Sequence, residues 1–207
     1  MEDVLEVYAR PYNPARPVVC FDEKSKQLIE EVRQPLPALP RKIAKEDYEY
    51  KRNGTRNLFV MVEPLAGWRK VEVTQRRTRQ DYARQIKWLV DERYAEAEVV
   101  VIIQDNLNTH DGGSLYETFP PEEACRILKK LEFHFTPKHG SWLNMAEIEL
   151  SVFERQCLSR RIGDEVVLKR EVALEEAERN QRKAKINWQF TTAKARQKMG
   201  RVYPKLT

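Results

Sequence analysis

Cysteine and histidine are scarce in this chain, which has three of each among its 207 residues. The cysteines, Cys20, Cys125 and Cys157, are far apart and form no CxxC pair, so a disulfide framework is not expected. The histidines lack the close spacing of a zinc site. These shortages favour a protein of a reducing compartment that holds no zinc.

Long apolar runs are missing as well. No stretch approaches the ~20 apolar residues that a membrane-spanning helix needs. The acidic N-terminal segment MEDVLEVYAR lacks the apolar region of a signal peptide. No internal repeat or low-complexity segment is present. We therefore expect a soluble, cytoplasmic protein without a membrane partner.

Charged residues are abundant and lean towards the basic side. They make up 33% of the chain, and 37 Lys and Arg exceed 32 Asp and Glu to give a net charge of +5. Such an excess is compatible with nucleic acid as a partner, but many basic proteins bind none. The 41% of apolar residues is enough for a real core in one large or two small domains.

The most informative stretch is VVVIIQDNLNTH, residues 99–110. Its β-branched run predicts a buried strand, and Asp105 follows at the C-terminal end, where open α/β sheets usually keep their chemistry. Residues 18–21 (VVCF) predict a second such strand that ends at Asp22. If the strands are neighbours, the two carboxylates repel each other unless a cation such as Mg²⁺ neutralises them. The alternative is that each acid only caps a turn.

A third carboxylate comes from the predicted helix 142–158. Its buried stripe follows three- and four-residue spacing and consists of Leu143, Ala146, Leu150 and Phe153. Glu147 lies at the edge of this stripe, whereas Glu149 is about 200° further around the helix and is expected to face solvent. Glu147 is therefore the preferred partner of Asp22 and Asp105. Three such carboxylates can hold two metal ions ~3.5–4 Å apart, which suits in-line displacement at phosphorus.

The remaining elements predict an α/β fold, a mixed sheet with helices packed on it. A hairpin followed by alternating helices and strands is typical of that class. One or two helical turns are expected over 25–32, and a charged loop over 41–56 that is either solvated surface or a DNA contact. The other predicted elements are strands 57–64, 68–74, 99–104 and 132–136, helices 78–95, 121–131, 142–158 and 163–185, and a last helix capped by Thr191 or Thr192.

Three segments, CFDEKS, QDNLNTH and TPKHGSWLNMAEIELS, together resemble the DDE transposases of bacterial insertion sequences related to the mariner superfamily. In that family an Asp-Asn pair with a nearby His ends a core strand, and Asn-x-x-Glu opens the last catalytic helix. The matching residues here are Asp22, Asp105, Asn106, His110, Asn144 and Glu147. The resemblance implies an RNase H-like fold in which Asp22, Asp105 and Glu147 are catalytic and bind two Mg²⁺ or Mn²⁺ ions.

The resemblance covers about residues 16–160 and sets the expected domain boundaries. We expect an extended lead-in over 1–15, the catalytic domain over 16–162 and a C-terminal helical extension over 163–207. Two features depart from the family pattern. Between Asp105 and Glu147 there are 41 residues, somewhat more than in mariner relatives, and no helix-turn-helix region precedes Pro11. The chain is therefore expected to be a catalytic half, either a separate reading frame, a truncated copy or an excised domain, and a separate N-terminal DNA-binding half is one candidate partner.

Several other residues are candidates for supporting roles, each with an ordinary structural alternative. Asn106 and His110 would orient water or the scissile phosphate, or simply form a turn. Lys138 and His139 would meet phosphate at the start of the catalytic helix, where N–H groups favour anions, or lie in a surface turn. Trp142 would stack on an unpaired base or belong to the core. Candidate contacts to the DNA backbone, otherwise plain surface residues, are Arg76, Arg77, Arg155, Arg160 and Arg161.

The function that the resemblance implies is metal-dependent cleavage of DNA at the ends of an insertion sequence, followed by joining of the freed 3′-hydroxyl to target DNA. The expected partners are DNA, as element ends and target, and further copies of the chain in a homodimer or larger assembly. The implied location is the bacterial cytoplasm, at the nucleoid. The alternatives are an RNase H-like nuclease that does not join strands and a non-catalytic DNA-binding remnant. Intact acids at all three positions oppose the remnant.

Overall fold

A five-stranded mixed sheet forms the centre of the computed structural model, which describes residues 1–34, 36–43 and 47–200. The strands are β1 (Val18–Glu31), β2 (Tyr50–Glu63), β3 (Trp68–Thr74), β4 (Val100–Gln104) and β5 (Leu131–Phe135). Their order across the sheet is β3-β2-β1-β4-β5. The first three pair antiparallel, whereas β4 pairs parallel with both β1 and β5. The predicted mixed sheet is thereby confirmed.

Seven α-helices in the described part of the chain flank this sheet. They are α1 (Glu2–Tyr8), α2 (Arg79–Trp88), α3 (Gly113–Thr118), α4 (Pro121–Leu128), α5 (Met145–Phe153), α6 (Glu165–Gln181) and α7 (Thr192–Lys198). π-Helical turns extend α2 to Arg93 and α5 to Leu158. None of the helices described is long and apolar enough to cross a membrane.

Alternating side chains give β1 two different faces. Val19 and Phe21 pack in a core with α2, α3 and α4. Cys20, between them, packs on the opposite side in a core with α1, α5 and α7. On the first side, Thr78 caps α2 as predicted, in a capping box with Asp81. The sheet therefore separates two helical layers, and the direction of each β1 side chain decides which layer it meets.

β1 and β2 are longer than the sequence predicts, and two predictions are wrong here. Each strand has 14 residues, and their pairing runs from Cys20 with Val62 to Glu31 with Tyr50. Residues 25–32 are therefore mainly strand rather than helix, and the predicted loop over 41–56 gives way to β2 at Tyr50. The segment is too polar to show an apolar strand pattern, and only its pairing with β2 makes it a strand. Residues 44–46 of that loop lie outside the described residues.

The chain on either side of the predicted catalytic domain also differs in part from expectation. The lead-in over 1–15 is extended only in its second half, because α1 forms and buries Val4, Leu5 and Val7. Residues 113–118, expected as loop, form the short helix α3. The C-terminal extension contains the predicted helices α6 and α7, with Thr191 as the cap of α7. Its residues 201–207 lie outside the described part.

α6 covers β3, the edge strand of the sheet. Its side chains replace the missing strand partner: Glu176 accepts the backbone N–H of Val71 at 2.7 Å. Asn180 accepts the N–H of Arg69 and donates to the C=O of the same residue, both at 2.8 Å. Both contacts form because Glu176 and Asn180 are four residues apart on a helix, Val71 and Arg69 are two residues apart on a strand, and each spacing is about 6 Å. The edge is thereby closed to other strands.

A buried ion-pair network beneath this edge corrects the prediction for Glu149. The sequence predicts that Glu149 faces solvent, but the side chain is fully buried. Its carboxylate accepts hydrogen bonds from Nε of Arg69 at 2.8 Å and from Nε and Nη2 of Arg179 at 2.6 and 2.9 Å. Residues from β3 and α6 enclose this side of α5, so the position faces two guanidinium groups instead of water.

Replacing Glu149 by Gln should destabilise the fold strongly. The substitution leaves Arg69 fully buried, and Arg179 mostly buried, without their counter-charge. Breaking a buried pair in this way costs roughly 3–5 kcal/mol in the free energy of unfolding, which urea denaturation measures. The matched control is Glu147→Gln, two residues away and exposed, which should lose less than about 0.5 kcal/mol. Equal stability of the two variants would contradict the role of the network.

Candidate active site

The parallel pairing of β1 with β4 brings Asp22 and Asp105 to the same level of the sheet. In the last pair Cys20 is opposite Ile103. Two residues further along each strand, the same register places Asp22 beside Asp105. Cys20 and Ile103 pack in one core, and each acid follows two residues later on the same face. Asp22 lies within β1 rather than beyond its end as predicted. It stands at the point where pairing with β4 stops.

Asn144 ties the start of α5 to β1. Its Oδ1 accepts the N–H of Ala146 at 3.1 Å and so caps the helix. Its Nδ2 donates to the C=O of Phe21 at 2.8 Å and to Oδ2 of Asp22 at 3.4 Å. One fully buried side chain therefore joins the helix start to the first acid. Glu147 follows in the first turn of α5 and is exposed.

The three predicted acids form one electrostatic cluster. The pKa of Asp22 is raised to about 7, first by burial and then by the negative charges of Glu147 and Asp105. Because the charges of Glu147 and Asp105 disfavour ionisation of Asp22, a cation bound here would relieve that repulsion. This is the charge distribution expected at a site for a divalent ion.

The donor chemistry of the cluster fits a hard divalent cation. Asp22, Asp105 and Glu147 offer carboxylate oxygens, the ligands that Mg²⁺ and Mn²⁺ prefer. Oδ1 of Asp105 accepts the hydrogen bonds, whereas Oδ2 accepts none from a described residue. Among the described residues, no group of three or more His, Cys, Asp or Glu side chains has the arrangement of a metal site. The fit therefore rests on the oxygen donors and their mutual repulsion.

His110 lies buried between two carboxylates. Its Nδ1 is 2.6 Å from Oδ1 of Asp105, and its Nε2 is 2.5 Å from Oε2 of Glu23. The ring packs against Phe21 and Tyr82, with centroids 5.4 and 4.9 Å apart. Burial alone would lower the pKa of His110, but the two carboxylates outweigh it and raise that pKa to about 9. Burial opposes the ionisation of Asp105, yet the bond to His110 keeps its pKa below the ordinary value.

Two open cavities adjoin the acids and share Ser141. The first, of about 380 Å³, has the sequence-predicted residues Asp105, Asn106, Lys138 and His139 in its lining. The second, of about 400 Å³, has Trp142, Glu147 and Arg155 in its lining. Most of the predicted supporting residues therefore line cavities beside Asp105 or Glu147, although 48 residues separate Asn106 from Arg155 along the chain.

The contacts and backbone of three of these residues bear on whether each one supports the site or is an ordinary turn or core residue. Asn106 donates from Nδ2 to the C=O of Thr136 at 2.8 Å, and so joins the turn after β4 to the end of β5. His139 has φ of 61°, a left-handed conformation that is uncommon for a residue with a side chain. Trp142 is 44% exposed, with its ring edge against Phe190, so it is not a core residue.

The three candidate arginines near the end of α5 differ in whether a carboxylate of the chain pairs with them. Arg155 donates to Oγ of Ser151 at 3.1 Å and forms no ion pair with a described residue. Arg160, in contrast, pairs with Glu171 at 2.6 Å, and Arg161 pairs with Glu31 at 2.7 Å. Only Arg155 of these three lines a cavity beside the acids.

Two neighbours of the candidate site, Glu23 and Tyr8, escape sequence reasoning. Glu23 directly follows Asp22, but it points to the opposite face of β1, where it meets His110. Tyr8 of α1 donates to the C=O of Leu143 at 2.7 Å and accepts the N–H of Met145 at 3.3 Å, at the start of α5. The adjacency of Glu23 to Asp22 was a usable signal. Tyr8 offered none, because its contacts at the start of α5 are more than 130 residues away.

Replacing Asn144 by Ala should lower the free energy of unfolding by roughly 2–4 kcal/mol. The substitution removes the cap of α5, and it also leaves the buried C=O of Phe21 without its hydrogen-bond donor. The comparison is Asp164→Ala, which removes only the exposed cap of α6 and should cost about 1 kcal/mol. Urea unfolding of both variants checks the difference. Equal losses would mean that the link from Asn144 to β1 contributes nothing.

Comparison with known proteins identifies the architecture. The family model described as DDE superfamily endonuclease matches residues 17–169. The solved Mos1 transposase paired-end complex with left transposon end is 16% identical, with a TM-score of 0.58 over 88% of this chain. The Mos1 strand transfer complex is also 16% identical, with a TM-score of 0.56 over 87% of this chain. The Mos1 mariner paired end complex with Mn is 18% identical, with a TM-score of 0.54 over 87% of this chain. No curated protein matches the chain.

These structures share the fold of this chain at low identity. The chain spans 56%, 54% and 55% of the three Mos1 chains, respectively. The predicted RNase H-like fold of the mariner type is confirmed by the order and packing of the mixed sheet. Because the family model covers most of the chain, this protein belongs to the DDE superfamily endonuclease family.

Proposed function

We propose that this chain is the catalytic domain of a DNA transposase. It cleaves DNA at the ends of an insertion sequence and joins the freed 3′-hydroxyl to target DNA. The observation that carries the proposal is the gathering of Asp22, Asp105 and Glu147 at one end of the sheet, in a member of the DDE superfamily. In this proposal residues 16–162 form the catalytic domain, and the protein acts at the nucleoid of a bacterial cell.

The similar solved structures support the proposal through what they contain. They are a Mos1 complex with a transposon end, a Mos1 complex with Mn and a Mos1 strand transfer complex. We further propose that an N-terminal DNA-binding half takes part in recognising the element ends. Assembly on two DNA ends would then require at least two copies of the chain.

The acids define what this chain contributes to catalysis. Asp22, Asp105 and Glu147 would hold two Mg²⁺ or Mn²⁺ ions. When bound, such ions stabilise the attacking and leaving oxygens of an in-line displacement at phosphorus. Asn144 holds Asp22 and the start of α5 together, so the first and third acids keep their relative position. In cleavage the oxygen of a water molecule forms a new bond to phosphorus while the P–O3′ bond breaks, which leaves a 3′-hydroxyl and a 5′-phosphate. In joining, the oxygen of that 3′-hydroxyl forms the new P–O bond and the target releases its own 3′-hydroxyl.

The cavities beside the acids provide the path for DNA. Arg155 and Lys138 offer cations that pair with no carboxylate of a described residue, and they suit contacts to the phosphate backbone. Trp142 is exposed in the same lining and offers a ring on which an unpaired base can stack. Arg160 and Arg161 are engaged by acids of the chain itself, and a role for them on DNA would require those pairs to open.

The substitutions Asp22→Asn, Asp105→Asn and Glu147→Gln should each abolish Mn²⁺-dependent cleavage and joining. Loss of a partner that only orients a metal ligand typically costs about 10–100-fold, so loss of the ligand itself should cost at least about 100-fold. The assay uses labelled duplexes from the DNA that flanks the coding sequence, uncut to measure cleavage and pre-cut to measure joining. Glu154→Gln is the control, because this acid forms a half-exposed ion pair with Lys24 and should retain activity.

The same assay separates the possible functions. Metal-dependent joining by the wild type supports the transposase proposal. Cutting without joining would assign a nuclease, and binding that is unaffected by metal and without cleavage would assign a non-catalytic DNA-binding protein. Full activity of Glu147→Gln would show that the third acid has been chosen wrongly.

Replacing Arg155 by Ala should weaken DNA binding by a similar factor for every sequence tested. A contact to phosphate releases a counterion, so the slope of log affinity against log salt should become shallower by about 1. Fluorescence anisotropy at several salt concentrations measures it. Arg126→Ala is the control, since both of its Nη groups pair with Asp91 on the surface of α4. An unchanged salt slope in Arg155→Ala would remove Arg155 from the DNA path.

A further inference from the structure

A line of alternating charges runs from the acid cluster to the surface. It starts at Oδ1 of Asp105, which is 2.6 Å from Nδ1 of His110. Nε2 of His110 is 2.5 Å from Oε2 of Glu23, and Oε1 of Glu23 is 3.9 Å from Nη1 of Arg77, where the line ends. The side chains of His110 and Glu23 are 0% and 1% exposed, whereas that of Arg77 is half exposed. The mechanism above uses only the first member of this line.

Both ring nitrogens of His110 face a carboxylate oxygen. Carboxylates accept hydrogen bonds and do not donate them when ionised, so the ring satisfies both only by donating from Nδ1 and from Nε2. Phe21 and Tyr82 contact the ring and fix its plane. Glu23 therefore determines which way Nδ1 points, and Nδ1 in turn holds Oδ1 of Asp105.

The burial of Glu23 has no other evident purpose in the fold. A carboxylate inside a protein is costly unless it is paired, and an apolar residue at such a position is often at least as stabilising. The backbone of Glu23 pairs with Phe59 of β2 whatever its side chain is. The only contacts of its side chain carboxylate among the described residues are with His110 and Arg77.

We propose that Glu23 is a positioning residue for Asp105 that acts through His110. By holding the ring, Glu23 commits Oδ1 of Asp105 to a hydrogen bond and leaves Oδ2 for a divalent cation. Partners of this kind orient a metal ligand without touching the metal. The inference rests on the proposed function only in assigning the cation to Asp105, since the hydrogen bonds themselves need neither metal nor DNA.

The first test therefore uses the whole chain without metal or DNA. With three histidines in the sequence, the ¹⁵N spectrum of the imidazole rings is simple to assign. The wild type should show two ring N–H groups on His110 that exchange slowly with solvent. In Glu23→Gln the N–H that faces Asp105 should shift and exchange faster, although Asp105 is unchanged. An unaltered signal on the Asp105 side would overturn the proposal.

The second test measures Mn²⁺ affinity by calorimetry and the rate of DNA cleavage. Glu23→Gln and His110→Gln should each lower the affinity by about 10–100-fold, and the double variant should lose no more than the worse single variant because both act through one line of bonds. Additive losses, or full affinity in Glu23→Gln, would contradict the proposal.

Glu63→Gln is the matched control for this series. Glu63 is also a buried acid on a strand; it accepts a hydrogen bond from Tyr94 at 2.7 Å and has Arg93 at 3.9 Å, but it is not among the acids that act on Asp22. Its substitution should leave Mn²⁺ affinity unchanged, which separates a positioning role from a general loss of stability. If the wild type shows both His110 N–H groups but cuts no DNA, the positioning role stands and the proposed function fails.

Discussion

The parallel pairing of β1 with β4 is the constraint on which the candidate site depends. It involves three residue pairs, from Val18 with Val101 to Cys20 with Ile103, and it ends two residues before both aspartates. A slip of one residue would turn one acid to the other face of the sheet. Burial prevents that slip, because Val19 and Phe21 belong to one core and Cys20 to the other. Two separate hydrophobic cores thus set the distance between two carboxylates.

The rotation of α5 about its axis is the second constraint. Glu147 and Glu149 are about 200° apart around the helix, so fixing one fixes the other. Glu149 lies between the guanidinium groups of Arg69 and Arg179, while Asn144 ties the N-terminus of α5 to β1. Glu147 then lines the cavity that also contains Trp142 and Arg155. The helix that covers the sheet edge supplies one of those arginines, and in this way the C-terminal part of the chain supports the geometry of the acids from a distance.

The site concentrates negative charge and offsets it locally. Burial raises the pKa of Asp22 most, and the negative charges of Glu147, Asp105 and Glu23 raise it further. His110 is a buried group that can carry positive charge; it contacts Asp105 and lies on the opposite face of β1 from Asp22. One face of the strand therefore carries the carboxylate of Asp22. The other face contains the hydrogen bonds that orient Asp105.

The sequence by itself determined the strands and the helix that carry the three candidate acids, and the family, because apolar periodicity and short motifs are local properties. The cap that Asn144 forms on α5 was not predicted. The sequence also did not reveal the length of the β1–β2 ribbon, the burial of Glu149 or the contact of His110 with Glu23. Those were decided by the tertiary structure, since each depends on a partner far away in the chain: β2 for a polar strand, Arg69 and Arg179 for a buried carboxylate. A helical period indicates where a side chain points, but only packing decides whether water or a guanidinium group is there to meet it.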